Sequence, residues 1–405
     1  MDPHLNPFSP GAGSPPPELA GRDDLLAQAN VTLARVKAGR YEQSLLMVGL
    51  RGVGKTVLLN RIRDMAAAQG YSVAMIEVTE NRSLAELLIP PLRQVLFGLD
   101  AIAGVSDKVK RGLRVLRSFI GALKLKAGDI EFGVNIDPER GAADSGDLEA
   151  DLAQLLLAIG EAAEDRGSAV AVLVDEVQYL AEREMSALIM AIHQISQRQL
   201  PLVLVGAGLP QLVGLAGRSK SYAERLFRYP TVEALSRDDA KEALRGPVVK
   251  QGVEFDRVAL DELVRVTQGY PYFLQEWGYQ TWNIAAASPV SAEVVKRATE
   301  LAVKKLDESF FRVRFDRLTP REKDYLRSLA HLGVGAHRSG DIADCLGVKV
   351  QSIAPIRSGL IRKGMIYSPA HGDTAFTVPL FDEFMLRTMP EWKPRLSGSP
   401  FDVFK

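Results

Sequence analysis

Gly49-Leu50-Arg51-Gly52-Val53-Gly54-Lys55-Thr56 follows a short apolar stretch, Ser44–Val48, and precedes a segment with helical spacing, Val57 to about Gln69. The spacing G-x-x-x-x-G-K-[ST] between a strand and a helix is that of a loop that closes around phosphate. Glycine lets backbone N–H groups approach phosphate oxygens without a Cβ in the way. The helix that starts there adds its positive end. Gly49, Arg51, Gly52, Val53, Gly54, Lys55, Thr56 and Val57 are therefore the candidate nucleotide contacts. Lys55 would reach the β- and γ-phosphates, and the Thr56 hydroxyl would hold Mg²⁺.

Working outward, residues 72–78 predict a second strand and Ser83–Leu96 a helix. The aliphatic runs Ser168–Val174 and Pro201–Val205 fit strands buried on both faces, with a helix, Glu184–Gln197, between them. This alternation predicts an α/β fold, a doubly wound parallel sheet, over residues 18–232. The first aliphatic run ends in Asp175-Glu176, at the carboxyl edge where such sheets bind ligands. Asp175 is the second candidate Mg²⁺ holder. Glu176 would orient and deprotonate an attacking water, with Lys55 as its catalytic partner on the phosphates.

The rest of the chain divides into four further regions. Residues 1–17 hold six prolines and predict an extended arm that does not pack. Residues 233–315 turn all helical and predict a lid. Residues 316–390 predict a winged helix: three helices, then two short alternating stretches flanking His371-Gly372-Asp373. Residues 391–405 are a tail.

The order of these motifs resembles AAA+ ATPases, and more narrowly the origin-recognition/cell-division-cycle initiator clade and the related STAND-type archaeal and bacterial ATPases. The resemblance runs from about Glu18 to Arg387. It implies ATP or ADP with Mg²⁺ as ligands. In Glu18-Leu19-Ala20-Gly21-Arg22-Asp23 it makes Gly21 and Arg22 candidates for the adenine pocket. In Thr267-Gln268-Gly269-Tyr270-Pro271 it makes Pro271 a nucleotide contact. Arg225, with Arg228 as the fallback, resembles the finger that reaches a neighbouring subunit's γ-phosphate, because a guanidinium fork matches phosphate oxygens. The alternative is a surface arginine paired with an acid.

Two positions depart from a strong ATPase. Val205-Gly206-Ala207-Gly208 has no amide or hydroxyl where such proteins usually place one at the strand end. The lid stretch 267–271 has no arginine. A missing polar contact of this kind removes about 2–4 kcal/mol of transition-state stabilisation. The expectation is slow hydrolysis and a switch-like use of ATP.

Net charge is zero, with 50 basic and 50 acidic residues, so any nucleic-acid surface must be local. Two stretches qualify. Lys108–Lys126 has seven basic residues and no acid, with Arg111, Arg114 and Arg117 on one helical stripe. It lies in a basic insertion at about 105–145. The initiator clade contacts DNA in this interval; the alternative is a face paired with the acidic run Asp137–Asp151. Val348–Lys363 has four basic residues and no acid. There Lys349, Gln351, Ser352, Arg357, Arg362 and Lys363, with His371 at the wing tip, would face double-stranded DNA. Pro355 fits the first turn of that helix if Ser352 is the cap. The alternative is a winged helix that docks a protein effector.

Cys345 is the only cysteine, so neither an intrachain disulfide nor a cysteine zinc site can form. The five histidines have no metal-ligand spacing, and no apolar run approaches the roughly 20 residues of a membrane helix. These features predict a cytoplasmic protein without membrane contact. They leave two functions: a nucleotide-controlled, self-associating DNA-binding ATPase, or a signalling ATPase whose winged helix binds protein.

Overall fold

The computed structural model describes residues 1–11, 16–100, 106–123 and 137–395. Parts of the expected arm (12–15), basic insertion (124–136) and tail (396–405) lie outside them. The chain forms two compact units. One holds residues 22–49 and 54–232; the other holds 1–21, 50–53 and 233–405.

The first unit is an α/β layer structure. It runs α1 (Asp23–Lys37), β1 (Ser44–Gly49), α2 (Lys55–Ala68), β2 (Tyr71–Glu77), α3 (Leu84–Asp100), α4 (Asp107–Ala122) and α5 (Leu148–Asp165). It continues with β3 (Ala169–Asp175), α6 (Glu182–Gln197), β4 (Leu202–Gly208), α7 (Gln211–Ser219), α8 (Ala223–Leu226), β5 (Phe227–Arg228) and β6 (Thr231–Val232). The sheet order is β2-β3-β4-β1-β5, with β6 also pairing β1, and every pairing is parallel. Every residue of β1, β3 and β4 is buried. That is why these strands read as unbroken aliphatic runs: neither face meets water. Each fully buried Leu, Val or Ile stabilises the layer by about 1.5–3 kcal/mol. Because all strands are parallel, Gly49, Glu77, Asp175 and Gly208 end at one edge of the sheet.

The basic stretch folds as α4, which packs on α3 and α5. Ser106 caps it by accepting from the Val109 N–H at 3.2 Å. Its apolar positions, Val109, Leu113, Leu116 and Phe119, are buried.

The second unit begins with the arm. Its first residues pack, against expectation. Phe8 is only 2% exposed, Asn6 Nδ2 donates to Asn283 Oδ1 at 2.8 Å, and Trp282 Nε1 donates to the Asp2 carbonyl at 2.8 Å. The reason is a large apolar side chain among the prolines: Phe8 covers Gly278, where a Cβ would stand 2.7 Å from its ring. Four helices follow: α9 (Arg237–Val249), α10 (Arg257–Thr267), α11 (Pro271–Ile284) and α12 (Ala292–Leu306). Ser236 and Asp256 cap the first two, and proline opens the third, where its missing N–H costs nothing. A π-helical turn, Asp307–Phe311, joins α12 to α13 (Arg312–Asp316).

The same unit continues with α14 (Pro320–His331), β7 (His337–Arg338), α15 (Ser339–Leu346), α16 (Val350–Arg362), β8 (Ile366–Tyr367), β9 (Asp373–Phe376) and α17 (Phe381–Thr388). The strands form an antiparallel sheet, β7-β9-β8. Thr319 and Glu322 form a reciprocal capping box on α14. Ser352 does not cap α16. Lys349 occupies that position, the Ser352 hydroxyl donates back to the Lys349 carbonyl at 2.7 Å, and Pro355 lies inside the helix. The start of the tail is anchored by Trp392, 5.0 Å beneath the Arg327 guanidinium, and by an Arg395 N–H···O=C Cys345 bond of 2.8 Å.

Candidate nucleotide site

The loop between β1 and α2 has the backbone that phosphate chemistry requires. Gly52 and Gly54 have φ of 82° and 94°, the left-handed region that side chains disfavour. A Cβ on Gly54 would meet nothing within 4 Å, so the space above it is open. Gly54 begins α2 without a side-chain cap, which leaves the first N–H groups of the helix for a ligand.

Lys55 and Thr56 form the first turn of α2. Lys55 is only 7% exposed. The Thr56 hydroxyl donates to Asp175 Oδ2 at 2.6 Å, which ties the helix start to the tip of β3. Asp175 is 4% exposed, and burial raises its carboxyl pKa above the ordinary value; the Thr56 bond, the Glu176 N–H and Lys55 oppose that shift. A buried carboxylate and a hydroxyl side by side are the donor set of a hard cation such as Mg²⁺. Among the described residues no cluster of three His, Cys, Asp or Glu would hold a metal alone. Thr56 and Asp175 therefore suit an ion that keeps water and phosphate as its other ligands.

Glu176 follows with φ of 54°, a strained turn for a residue with a side chain. Gln178 Nε2 donates to its carboxylate. Two residues that the sequence reading did not single out join the group. Glu77 ends β2 in register with Asp175, and its carboxyl pKa is raised by burial and by the charges of Asp175 and Glu176. Gln178 Oε1 accepts the Leu209 N–H at 3.0 Å, just beyond β4. Gly206 and Gly208 carry no polar group because nothing larger fits. A Cβ would lie 2.5 Å from Leu46 Cδ2 at the first and 2.9 Å from Gln178 Oε1 at the second. The signals were present in part: Glu77 is the acid at the end of a predicted strand, and Gln178 stands two residues after Glu176.

The other predicted residues divide. Gly21 has φ of 65°, and a Cβ there would stand 2.7 Å from the Asp239 carboxyl group. Arg22 precedes α1 as its N-cap without a side-chain cap bond. Pro271 opens α11, and the next N–H, that of Tyr272, donates to the Gly52 carbonyl at 3.2 Å. Arg225 is exposed and forms no ion pair among the described residues, while its carbonyl accepts from Tyr41 and Gln43 at 3.1 and 3.0 Å. Arg228, the fallback, pairs with Glu42 and Gln43.

The basic stripe on α4 is largely neutralised. Arg111 pairs with Glu139 and Glu161 at 3.1 and 2.9 Å, and Arg114 with Glu139 at 2.8 Å. Glu139 belongs to the acidic run, so these two arginines form the paired face that the sequence left open. Arg117 on the same helix is half-buried.

On α16, Arg357 bonds Thr374, Ser368 and the Asp373 carbonyl at 2.9, 2.7 and 2.7 Å, and Lys363 pairs with Glu322 at 2.7 Å. These two hold the small sheet and α14. Lys349, Gln351, Ser352, Arg362 and His371 are exposed.

Residues 18–205 match a family described as an AAA ATPase domain, and residues 308–385 match a domain of unknown function, DUF8462. No curated protein matches the sequence. Among solved structures, the Walker-type ATPase PABY2304 of Pyrococcus abyssi aligns at a TM-score of 0.57 with 16% identity, over 94% of this chain and 99% of that one. The Aeropyrum pernix ORC1 protein in complex with DNA gives 0.45 at 16% identity, over 92% and 94%. The Thermotoga maritima RuvB Holliday junction branch migration motor gives 0.44 at 15%, over 96% and 99%. At 16% identity the likeness to the Pyrococcus abyssi protein is one of fold.

Proposed function

We propose that the chain, whose residues 18–205 match an AAA ATPase domain, is an AAA+ P-loop ATPase that acts as a slow, nucleotide-controlled switch. The observation that carries this reading is the 2.6 Å Thr56–Asp175 bond below an open Gly54. Residues 49–57 hold the triphosphate, and Thr56 and Asp175 hold Mg²⁺, which when bound neutralises charge on the phosphates. Glu176 takes the proton of the attacking water. Gln178 supports a slow rate: its amide holds the Glu176 carboxylate, and β4 offers no polar side chain to the phosphate.

We assign the exposed Arg225 to a neighbouring subunit's nucleotide, so the switch self-associates. We read residues 316–390 as a winged helix that contacts double-stranded DNA through Lys349, Gln351, Ser352, Arg362 and His371. One observation favours the second reading, docking of a protein effector: Arg357 and Lys363 are already committed to Thr374 and Glu322.

Calorimetry with Mg²⁺ and a non-hydrolysable ATP analogue tests the site. Wild type binds, and Lys55→Ala loses binding at least tenfold. Glu176→Gln binds as wild type but releases phosphate about 10²–10⁴-fold more slowly. Absence of binding in wild type defeats the reading.

A further inference from the structure

Residues 389–395 follow α17 and run back to the turn between α15 and α16, fastened at two points. The first is Arg327 on α14. This side chain is only 6% exposed, and no acid pairs with it among the described residues; burial alone lowers its pKa. Its Nε donates to the Met389 carbonyl at 3.0 Å, the guanidinium lies 5.0 Å from the centre of the Trp392 ring, and Nη1 has no hydrogen-bond partner. A buried cation costs free energy unless something faces it. Here a main-chain carbonyl and an indole of the tail do so, and the indole face attracts the charge. The fold thus commits an interior charge to holding this segment.

The second point is the turn itself. The Arg395 N–H donates to the Cys345 carbonyl at 2.8 Å. Gly347 has φ of 66°, and a Cβ there would overlap the Arg395 carbonyl oxygen. Glycine therefore serves both the left-handed end of α15 and the close approach of the tail. Pro390 and Pro394 fix φ on either side of Trp392, which lowers the entropy lost in holding one path.

Gly347 stands two residues before Lys349, the N-cap of α16. The fastenings therefore bring Lys393 and Arg395 to the end of α16 that carries Lys349. Over residues 347–363 and 389–395 the exposed cations are Lys349, Arg362, Lys393 and Arg395, and none forms an ion pair among the described residues. Glu391 is the one acid in these two stretches, and Asp344 is exposed on α15. These acids limit the local net charge, so what counts is a few placed cations rather than a broad field.

We propose that Lys393 and Arg395 belong to the surface that meets double-stranded DNA, and that they contact backbone phosphates beside those reached from Lys349. The proposal rests on the DNA reading above and extends it to a segment beyond the winged helix. Phosphate contacts fix the register of a helix on the duplex without reading its bases. The fastened tail thus helps to seat α16.

The test uses the full chain and a mixed-sequence double-stranded DNA, with shift assays over a salt series and melting curves in parallel. Lys393→Ala with Arg395→Ala should weaken binding about tenfold and flatten the slope of log affinity against log salt by about 1.8, or 0.9 per phosphate lost, with the melting temperature unchanged. Trp392→Ala removes no charge but frees the tail. Compared at a temperature where its melting curve shows it folded, it should also lose affinity. Wild-type affinity and slope in the double variant, where Lys349→Ala binds more weakly, overturn the proposal and leave the DNA reading standing. Wild-type affinity in Trp392→Ala beside weakened binding in the double variant overturns the placement, because the cations then act as free charge. If wild type binds no DNA at low salt, the DNA reading fails and the proposal with it.

Discussion

Asp175, which we propose holds Mg²⁺, shows how such a role would cost stability. It is buried with Thr56 as its donor, yet Glu176 and Glu77 add negative charge beside it. Its folded pKa is raised, so the fold disfavours the charged form. The penalty is absent below the ordinary carboxyl pKa, grows between the unfolded and folded values, and is complete above the folded one. Asp175→Asn should therefore melt a few degrees higher than wild type at pH 7 without ligand. The difference should vanish on acidification through the ordinary carboxyl range, as read by calorimetric melting curves across pH. The same variant should lose most of the stabilisation that Mg²⁺-nucleotide gives wild type. Stability and binding thus move in opposite directions at one side chain, which a purely structural Asp175 would not produce.

At the scale of elements, the buried strands were legible because a two-sided sheet needs uninterrupted Val, Leu and Ile, and Ser44–Val48 and Ser168–Val174 supply them. The loop was legible because few backbones other than a phosphate cradle need glycine at positions 52 and 54 followed by Lys-Thr. What could not be read was pairing across distance. Nothing local to α4 says that Arg111 and Arg114 meet Glu139 and Glu161, or that Arg357 is spent on the β8–β9 hairpin. Nor does the order of residues reveal that Phe8 finds Gly278, or that Trp392 lies against Arg327. Double-stranded DNA separates the two basic elements. Arg114→Gln should lower the melting temperature by about a degree or two, because it removes one of the two guanidinium partners of Glu139, and leave DNA affinity unchanged in a shift assay. Lys349→Ala should do the reverse, weakening DNA binding several-fold with no change in melting.

At the scale of the molecule, the proposed switch needs a second copy and a polyanion. If Arg225 serves a neighbour, phosphate release per molecule should rise with protein concentration, and Arg225→Ala should flatten the curve at the low value; flat wild-type activity from nanomolar to micromolar protein would refute the role. If α16 reaches DNA phosphates, log affinity should fall linearly with log salt, with a slope near 0.9 per phosphate contacted. Lack of binding at low salt, with and without nucleotide, would favour the effector-docking reading. The anchored arm has a consequence for biosynthesis. Phe8 leaves the ribosome about 270 residues ahead of Gly278, on the helix that receives it. The segment around Phe8 must stay unsatisfied in the meantime, exposing an aromatic ring to chaperones or to misplaced partners until Gly278 has emerged.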